Sequence, residues 1–143
     1  MAVFNVSNLV AKAMGNAGVA HFDTGGAAQL RIYSGTMPTD SDTALSGNTL
    51  LAQLTFSNPS FGTATDNNPG ALNTANAISD DTDADATGTA SFFRIYQNNG
   101  TTCECQGDVT ATGGGGTMTI NSVSIVIHTT VKCTSFTLLH PES

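Results

Sequence analysis

The sequence predicts an all-β protein, built as a single β-sandwich or jelly-roll-like domain of about seven strands with a short N-terminal helix or arm. Charged residues make up only 10% of the chain, and threonine, serine, asparagine and glycine take their place. Threonine suits a pleated strand, whereas glycine, asparagine and serine favour turns. Strand-like stretches recur about every 10 to 15 positions, which is typical of sandwiches and jelly rolls. The clearest stretch occurs twice, as Arg-Ile-Tyr at residues 31–33 and 94–96.

The N-terminal segment, residues 1–20, is predicted to be a helix or an arm that precedes a β domain of residues 21–143. Apolar residues at three-to-four spacing predict a helix over residues 3 to about 14, and they are Val3, Val6, Val10 and Met14. Gly15 and Asn16 follow, and both residue types tolerate the left-handed conformation that ends helices. Two interpretations stay open: a helix that packs in the core, or an arm that docks on a neighbouring molecule.

Seven strands are predicted from alternation and from the turn residues between them, at residues 29–34, 50–56, 71–78, 89–97, 101–111, 118–128 and 131–139. Pro59 ends the second strand region, because proline cannot donate to a ladder. Residues 128–130 are predicted to join the last two strands as a hairpin. The two Arg-Ile-Tyr copies are best read as two similar strands of one sandwich, although an internal duplication is the alternative.

The length and charge of the chain exclude several functional classes. A chain of 143 residues forms one compact domain. Its net charge is −7, and its four cations, Lys12, Arg31, Arg94 and Lys132, are scattered. We therefore expect binding neither to nucleic acid nor to an anionic membrane. No apolar run reaches 18 residues and no signal-peptide pattern is present, so the chain is expected to be made in the cytosol and to stay there or leave within an assembly.

The acidic loop at residues 80–85 resembles the start of a calcium-binding loop. Asp81, Asp83 and Asp85 occupy the first three ligand positions of an EF-hand, but Ala86 stands at the position of its glycine and Phe92 at that of its glutamate. Flanking helices are also absent from the pattern. A solvated acidic turn is therefore predicted, with no metal site and no cofactor.

The three cysteines, Cys103, Cys105 and Cys133, leave two interpretations open. Cys103 and Cys105 are predicted to share one face of a strand, and a disulfide between them in extended backbone would be strained. Three cysteines without a familiar ligand spacing are a weak zinc pattern. Buried free thiols are the first interpretation. A disulfide within or between subunits, formed after the protein leaves a reducing cytosol, is the second.

Catalysis is not expected. His21, His128 and His140 lie far apart in sequence without an adjacent acid or nucleophile, and no GxSxG, HExxH or P-loop pattern is present. The glycine run at residues 113–116 lacks the following lysine and helix of a phosphate-binding loop. The sequence thus predicts no catalytic and no cofactor-binding residue.

Four segments of the chain resemble a family of small structural proteins of tailed bacteriophages and prophages. They are LRIYSGTMPTDSDTALSGNTLLAQLTFS, DTDADATGTASFFRIYQNNGTT, GDVT and SVSIVIHTTVKCTSFTLLHPE, and they lie between residues 30 and 142. The pattern combines a basic-Ile-Tyr strand, an LLA-LTF strand, a DATGTA-aromatic-FRI strand and a V-SFT strand before a terminal proline. The Cys-x-Cys at 103–105 departs from it and suggests a covalent crosslink in the particle.

The resemblance implies a virion component assembled in the host cytoplasm, most simply a decoration (cement) protein on the capsid exterior. Its partners are then the major capsid protein and further copies of itself, often in a trimer. A tail, collar or fibre-associated protein is the alternative, and a carbohydrate-binding module is disfavoured because the chain has no tryptophan and two tyrosines. Residues 1–20 and the tail, residues 139–143, are expected to make the contacts.

Overall fold

The computed structural model describes residues 3–141 and shows a mostly β protein with one short helix, which confirms the β-rich character predicted from the sequence. The helix α1 spans Asn8–Phe22. The described residues contain eleven strands: β1 (Gln29–Ser34), β2 (Thr49–Phe56), β3 (Thr65–Asp66), β4 (Ala71–Thr74), β5 (Ile78–Ser79), β6 (Gly88–Thr89), β7 (Phe92–Tyr96), β8 (Cys103–Ala111), β9 (Met118–Ile120), β10 (Ser124–Ile125) and β11 (Cys133–His140). The count exceeds the predicted seven because β3, β5, β6 and β10 are only two residues long.

Nine strands form one large curled sheet in the order β3-β4-β11-β9-β8-β7-β1-β2-β5, and β10 pairs with β6 apart from it. One chain segment brings the two ends of this sheet together. Its first half, β4, pairs with β11, and its second half, β5, pairs with β2. Between them the Ala75 amide donates to the Phe136 carbonyl, and the Ala77 carbonyl accepts from the Ser57 amide. The predicted strand at 71–78 is therefore two short strands that close the curled sheet.

The core lies inside the curl. Phe136 on β11 contacts Phe93 on β7 and Phe56 on β2, with ring centroids 4.8 and 6.0 Å apart. Phe61 completes the group, 5.3 Å from Phe136. Strands that are far apart in the sheet order thus meet through their side chains. The strand β7 is buried on both faces, because Phe92 on its outer face is covered together with Tyr33.

The helix differs from the prediction at both ends. It begins after Ser7, whose hydroxyl accepts a hydrogen bond from the Val10 amide as an N-cap, and it continues through Gly15 to Phe22. Gly15 does not end the helix because it lies where the helix approaches the sheet most closely. Val19 and Phe22 belong to the main core. The predicted domain boundary at residue 20 therefore falls inside α1, which is part of the β domain.

The predicted strand at 118–128 is interrupted, and no hairpin forms at 128–130. β9 pairs with β11, whereas β10 leaves the sheet and pairs with β6. The cause is Asn121, whose side chain donates to the Thr130 carbonyl and accepts from the Lys132 amide. The Asn121 side chain thus joins the start and the end of the segment 121–132, where a continuous strand was expected.

The glycine run at residues 113–116 forms a tight return loop. β8 and β9 are parallel neighbours although only six residues separate them, and parallel strands ordinarily need a crossover of about a dozen residues. The loop manages this by folding over Thr110, whose hydroxyl accepts from the Gly116 amide. A Cβ at Gly114 would lie 2.7 Å from the Thr110 side chain. The glycines thus serve backbone packing.

Candidate interaction surface

An exposed apolar surface covers the N-terminal segment and the outer side of α1. Its members are Val3, Phe4, Leu9, Val10 and Met14, and we call it the arm–helix face. Phe4 is 81% exposed and Leu9 is 76% exposed. Large apolar side chains that are exposed together in one segment mark an interaction site more often than scattered single ones do. All five members of this face lie within residues 1–20, the segment that the sequence predicts to make contacts.

The face exists because α1 is apolar on both sides. Its buried stripe, Ala11, Gly15, Val19 and Phe22, packs against the curled sheet. Its opposite side carries leucine, valine, methionine and alanine where a surface helix ordinarily carries charges. A helix that is apolar all round is typical of a buried helix. Within residues 3–141, nothing covers the outer side of α1 at Leu9, Val10 and Met14.

Hydrogen bonds hold α1 firmly against the sheet. The Asn16 side-chain oxygen accepts from the Ala64 amide at 2.7 Å and from the Asn73 side chain at 3.3 Å. At the end of the helix, the Asp23 carboxylate accepts from the Ser60 amide with both oxygens, at 3.0 and 3.1 Å. The arm–helix face is thus held against the sheet from Asn8 onward, while residues 3–6 belong to no helix or strand.

A buried polar group lies under the helix. Asn73 is fully buried and donates to the Gly62 carbonyl at 2.8 Å, but its side-chain oxygen has no partner. The Nε2 atom of His140 is also buried without a partner, and burial lowers the pKa of this histidine. Both groups pack against Gly15. Because Asn73 and His140 fill the space opposite Gly15, the helix can pack this closely on the sheet only when residue 15 has no side chain.

The two arginines of the Arg-Ile-Tyr segments do not form a site. Arg31 and Arg94 lie directly opposite each other on β1 and β7. Arg94 is buried and donates to the backbone carbonyls of Asp40 and Thr43. Arg31 donates to the Gln53 side chain and lies over the Tyr96 ring at 4.6 Å. Within residues 3–141 neither arginine forms an ion pair, so both serve the outer packing of the sheet.

The three cysteines are free thiols in the structure. Cys103 packs in the outer aromatic cluster and Cys105 against the main core, so the two lie on opposite faces of β8. The shared face predicted for them is wrong, because the pairing of β8 with β7 shifts between Cys105 and Cys103. Cys133 aligns through Ile120 with Ala111, six residues along β8 from Cys105, which is roughly 20 Å. The crosslink between subunits stays a prediction.

We expect the native thiols to react slowly at neutral pH. Burial raises the pKa of Cys105 to about 12 and that of Cys133 to about 11, and it also raises the pKa of Cys103. Because the thiolate is the nucleophile, native protein should resist iodoacetamide at pH 8 and react about tenfold faster for each pH unit above it. Mass spectrometry of native and urea-unfolded samples measures this. Equal rates in both samples at pH 8 would contradict the assignment.

The histidines and the acidic loop have structural roles. His21 pairs with Glu104 at 2.9 Å and His128 pairs with Asp83 at 2.6 Å. Asp81 accepts hydrogen bonds from the backbone amides of Gln53 and Asp83, which fixes the acidic loop against β2. In the part of the chain that the structure describes, no three ligating side chains come together to hold a metal ion.

Comparison with known proteins found no relative of this chain. No protein-family model, no curated protein and no solved structure matches the chain. Among residues 3–141 no helix has the length and apolar character needed to cross a membrane. The fold and the surface therefore define a class only: a small acidic β protein with an exposed apolar helix face.

Proposed function

We propose that the chain is a bacteriophage virion structural protein, a decoration protein that binds the outside of the major capsid lattice and stabilises it. The arm–helix face is the observation that carries this proposal, because it offers a partner an apolar surface on a rigid domain. The resemblance of residues 30–142 to phage structural proteins supplies the kind of partner. The role proposed is structural rather than enzymatic, and it involves neither nucleic acid nor membrane.

Energetics favour a lattice as the partner. Burying five apolar side chains is worth about 7–15 kcal/mol at about 1.5–3 kcal/mol each. Association and side-chain ordering cost about 4–15 kcal/mol, so a single contact of this size is weak. On a shell with many equivalent sites, weak contacts become effective when each subunit engages more than one neighbour. The exposed side chains of Val3 and Phe4, which precede the helix, suit that arrangement because they widen the apolar surface beyond α1.

We also propose that the curled sheet is a variant of the sandwich expected from the sequence. Phe136 lies between Phe56 and Phe93, so the two sides of the curl face each other across a shared core as the layers of a sandwich do. The aromatic contacts support this interpretation. A sandwich consists of two separate sheets. In this fold, residues 71–79 pair with both β11 and β2, so the two sides belong to one continuous sheet.

The test is the stoichiometry of the chain against the major capsid protein in purified particles. We expect a copy number comparable to that of the capsid protein, and particles that lack the chain should lose heat tolerance. Quantitative mass spectrometry of virions gives the ratio, with the tail-tube protein as an internal reference. Absence of the chain from particles would refute the proposal.

The alternative, a tail, collar or fibre-associated protein, differs in copy number. It predicts a few copies per particle, which the same measurement detects. A carbohydrate-binding module ranks lower still, since Tyr33 and Tyr96 are both buried and neither can provide a stacking platform.

A further inference from the structure

A second, smaller apolar surface lies on the loop between β10 and β11. Val126 and Ile127 are 51% and 43% exposed, and we call them the tip patch. Hydrogen bonds hold both residues outward: the Ile127 amide donates to the Thr87 hydroxyl at 2.9 Å, and the Thr129 hydroxyl donates to the Val126 carbonyl at 2.6 Å. The next residue, His128, has a φ of 67°, which is uncommon for a residue other than glycine. The tip patch is a fixed surface feature.

An acidic rim borders the tip patch. The His128 amide donates to the Ala84 carbonyl, and the Val131 and Asp81 backbones bridge to each other, so the acidic loop at residues 80–85 runs alongside. This loop holds four aspartates, of which Asp80 pairs with Lys132 at 3.4 Å and Asp83 pairs with His128. Burial, and then the charges of Asp81 and Asp83, raise the pKa of Asp85.

The arm–helix face has the opposite electrostatic character. Residues 3–22 contain no acidic side chain, and their one cation is Lys12. The eleven acids of the chain all lie beyond this segment. Asp66, which accepts a hydrogen bond from the Asn8 side chain, is an acid beside this segment, and Lys12 lies within it, so a second acidic chain meets little net repulsion there.

The two surfaces lie on different parts of the domain. The arm–helix face lies at the start of α1, which packs mainly on β4, β11 and β3, and the Asn8 side chain donates to Asp66 on β3. Next to Thr87, which anchors the tip patch, Gly88 packs against Ser34, the last residue of β1.

We propose that the tip patch with its acidic rim is the binding site for the arm–helix face of a second copy of this chain. Both surfaces are apolar, and the acidic rim would meet a segment that carries Lys12 and no acid of its own. Pairing arm–helix faces with each other leaves the tip patch without a partner, and pairing two tips brings eight aspartates together. The contact is heterologous, so repetition builds a ring when the rotation closes and a filament when it does not. This inference rests on the arm–helix face and is independent of capsid binding.

Mixing two variants tests the proposal. Leu9→Asp with Met14→Asp disables the arm–helix face, and Val126→Asp with Ile127→Asp disables the tip patch. All four side chains are exposed, so melting temperatures should stay near that of the parent. Met37→Asp is the matched control, since Met37 is 41% exposed and belongs to neither surface.

Light scattering after size-exclusion chromatography measures the result. The parent and the Met37→Asp control should have masses that are multiples of the 14.6 kDa chain, and each double variant alone should be monomeric. An equimolar mixture of the two double variants should form a dimer, because one intact surface of each kind remains. High salt should weaken the contact without abolishing it.

Three results would overturn the proposal. They are a monomeric parent at submillimolar concentration, a tip variant that still assembles, and a mixture that stays monomeric. An assembling tip variant would point to pairing between arm–helix faces. None of these measurements involves a virus particle, so a failure here leaves the proposed decoration role to its own test of copy number.

Discussion

Phe136→Ala should lower the free energy of unfolding by about 3–5 kcal/mol, the usual cost of removing a buried phenylalanine. Phe136 is 3% exposed and contacts the rings of Phe56, Phe61 and Phe93. Each such aromatic pair is worth about 0.5–1.5 kcal/mol beyond the area it buries. Because a domain of this kind is stable by about 5–15 kcal/mol, the loss is a large fraction of the total. Urea denaturation followed by circular dichroism measures it.

Phe4→Ala is the matched control for Phe136→Ala, since the same atoms are removed from a ring that is 81% exposed. The free energy of unfolding should change by less than about 0.5 kcal/mol. Association through the arm–helix face should weaken instead, which light scattering detects. If Phe4→Ala destabilises the fold as much as Phe136→Ala does, then the N-terminal segment packs on its own domain and the interaction surface is misassigned.

Gly15→Ala should make the protein less stable than Gly18→Ala by about 1–3 kcal/mol, the usual cost of overpacking. Both substitutions gain about 1 kcal/mol of helix propensity, so this gain cancels in the comparison. A Cβ at Gly15 would lie 2.6 Å from the Asn73 side-chain oxygen and 2.7 Å from a His140 ring carbon, whereas Gly18 has open space. Asn73 cannot move aside easily, because Gly62 and Asn16 hold its side-chain nitrogen.

Paired urea denaturation curves of the two variants measure this difference. Gly18→Ala should be at least as stable as the parent, whereas Gly15→Ala should lose stability and expose α1 to proteolysis. Equal stability of the two variants would mean that the helix does not approach the sheet as closely as the structure shows.

The sequence predicted the long strands well, because each has a pattern that does not depend on distant residues. The strand at 29–34 has the predicted bounds, and 50–56 differs from β2 by one residue. Alternation and turn residues are local signals, and in these strands the tertiary structure agrees with them. The contact role predicted for residues 1–20 stays a prediction, and the structure adds that Val3, Phe4 and Leu9 are exposed there.

Other features were beyond the sequence because they depend on contacts between distant residues. Gly15 has the chemistry of a helix end, yet α1 continues through it because Asn73 and His140 require a residue without a side chain there. A shift in strand pairing placed Cys103 and Cys105 on opposite faces, and alternation along one strand cannot reveal such a shift. The sequence predicted that Val126 and Ile127 belong to a strand, because they continue an apolar run. In the structure, β10 ends before them, at Ile125.

The sequence by itself determined that this is a small acidic β protein with an acid-free, apolar N-terminal segment. Strand period, charge and composition are properties of neighbouring residues, so they can be read without a fold. The tertiary structure alone decided that residues 71–79 close the curled sheet, which side of α1 is buried, and that the apolar tip patch lies beside the acidic loop. Each of these depends on pairing between segments that the chain order separates, and the free energy of that pairing is set by the whole packed domain.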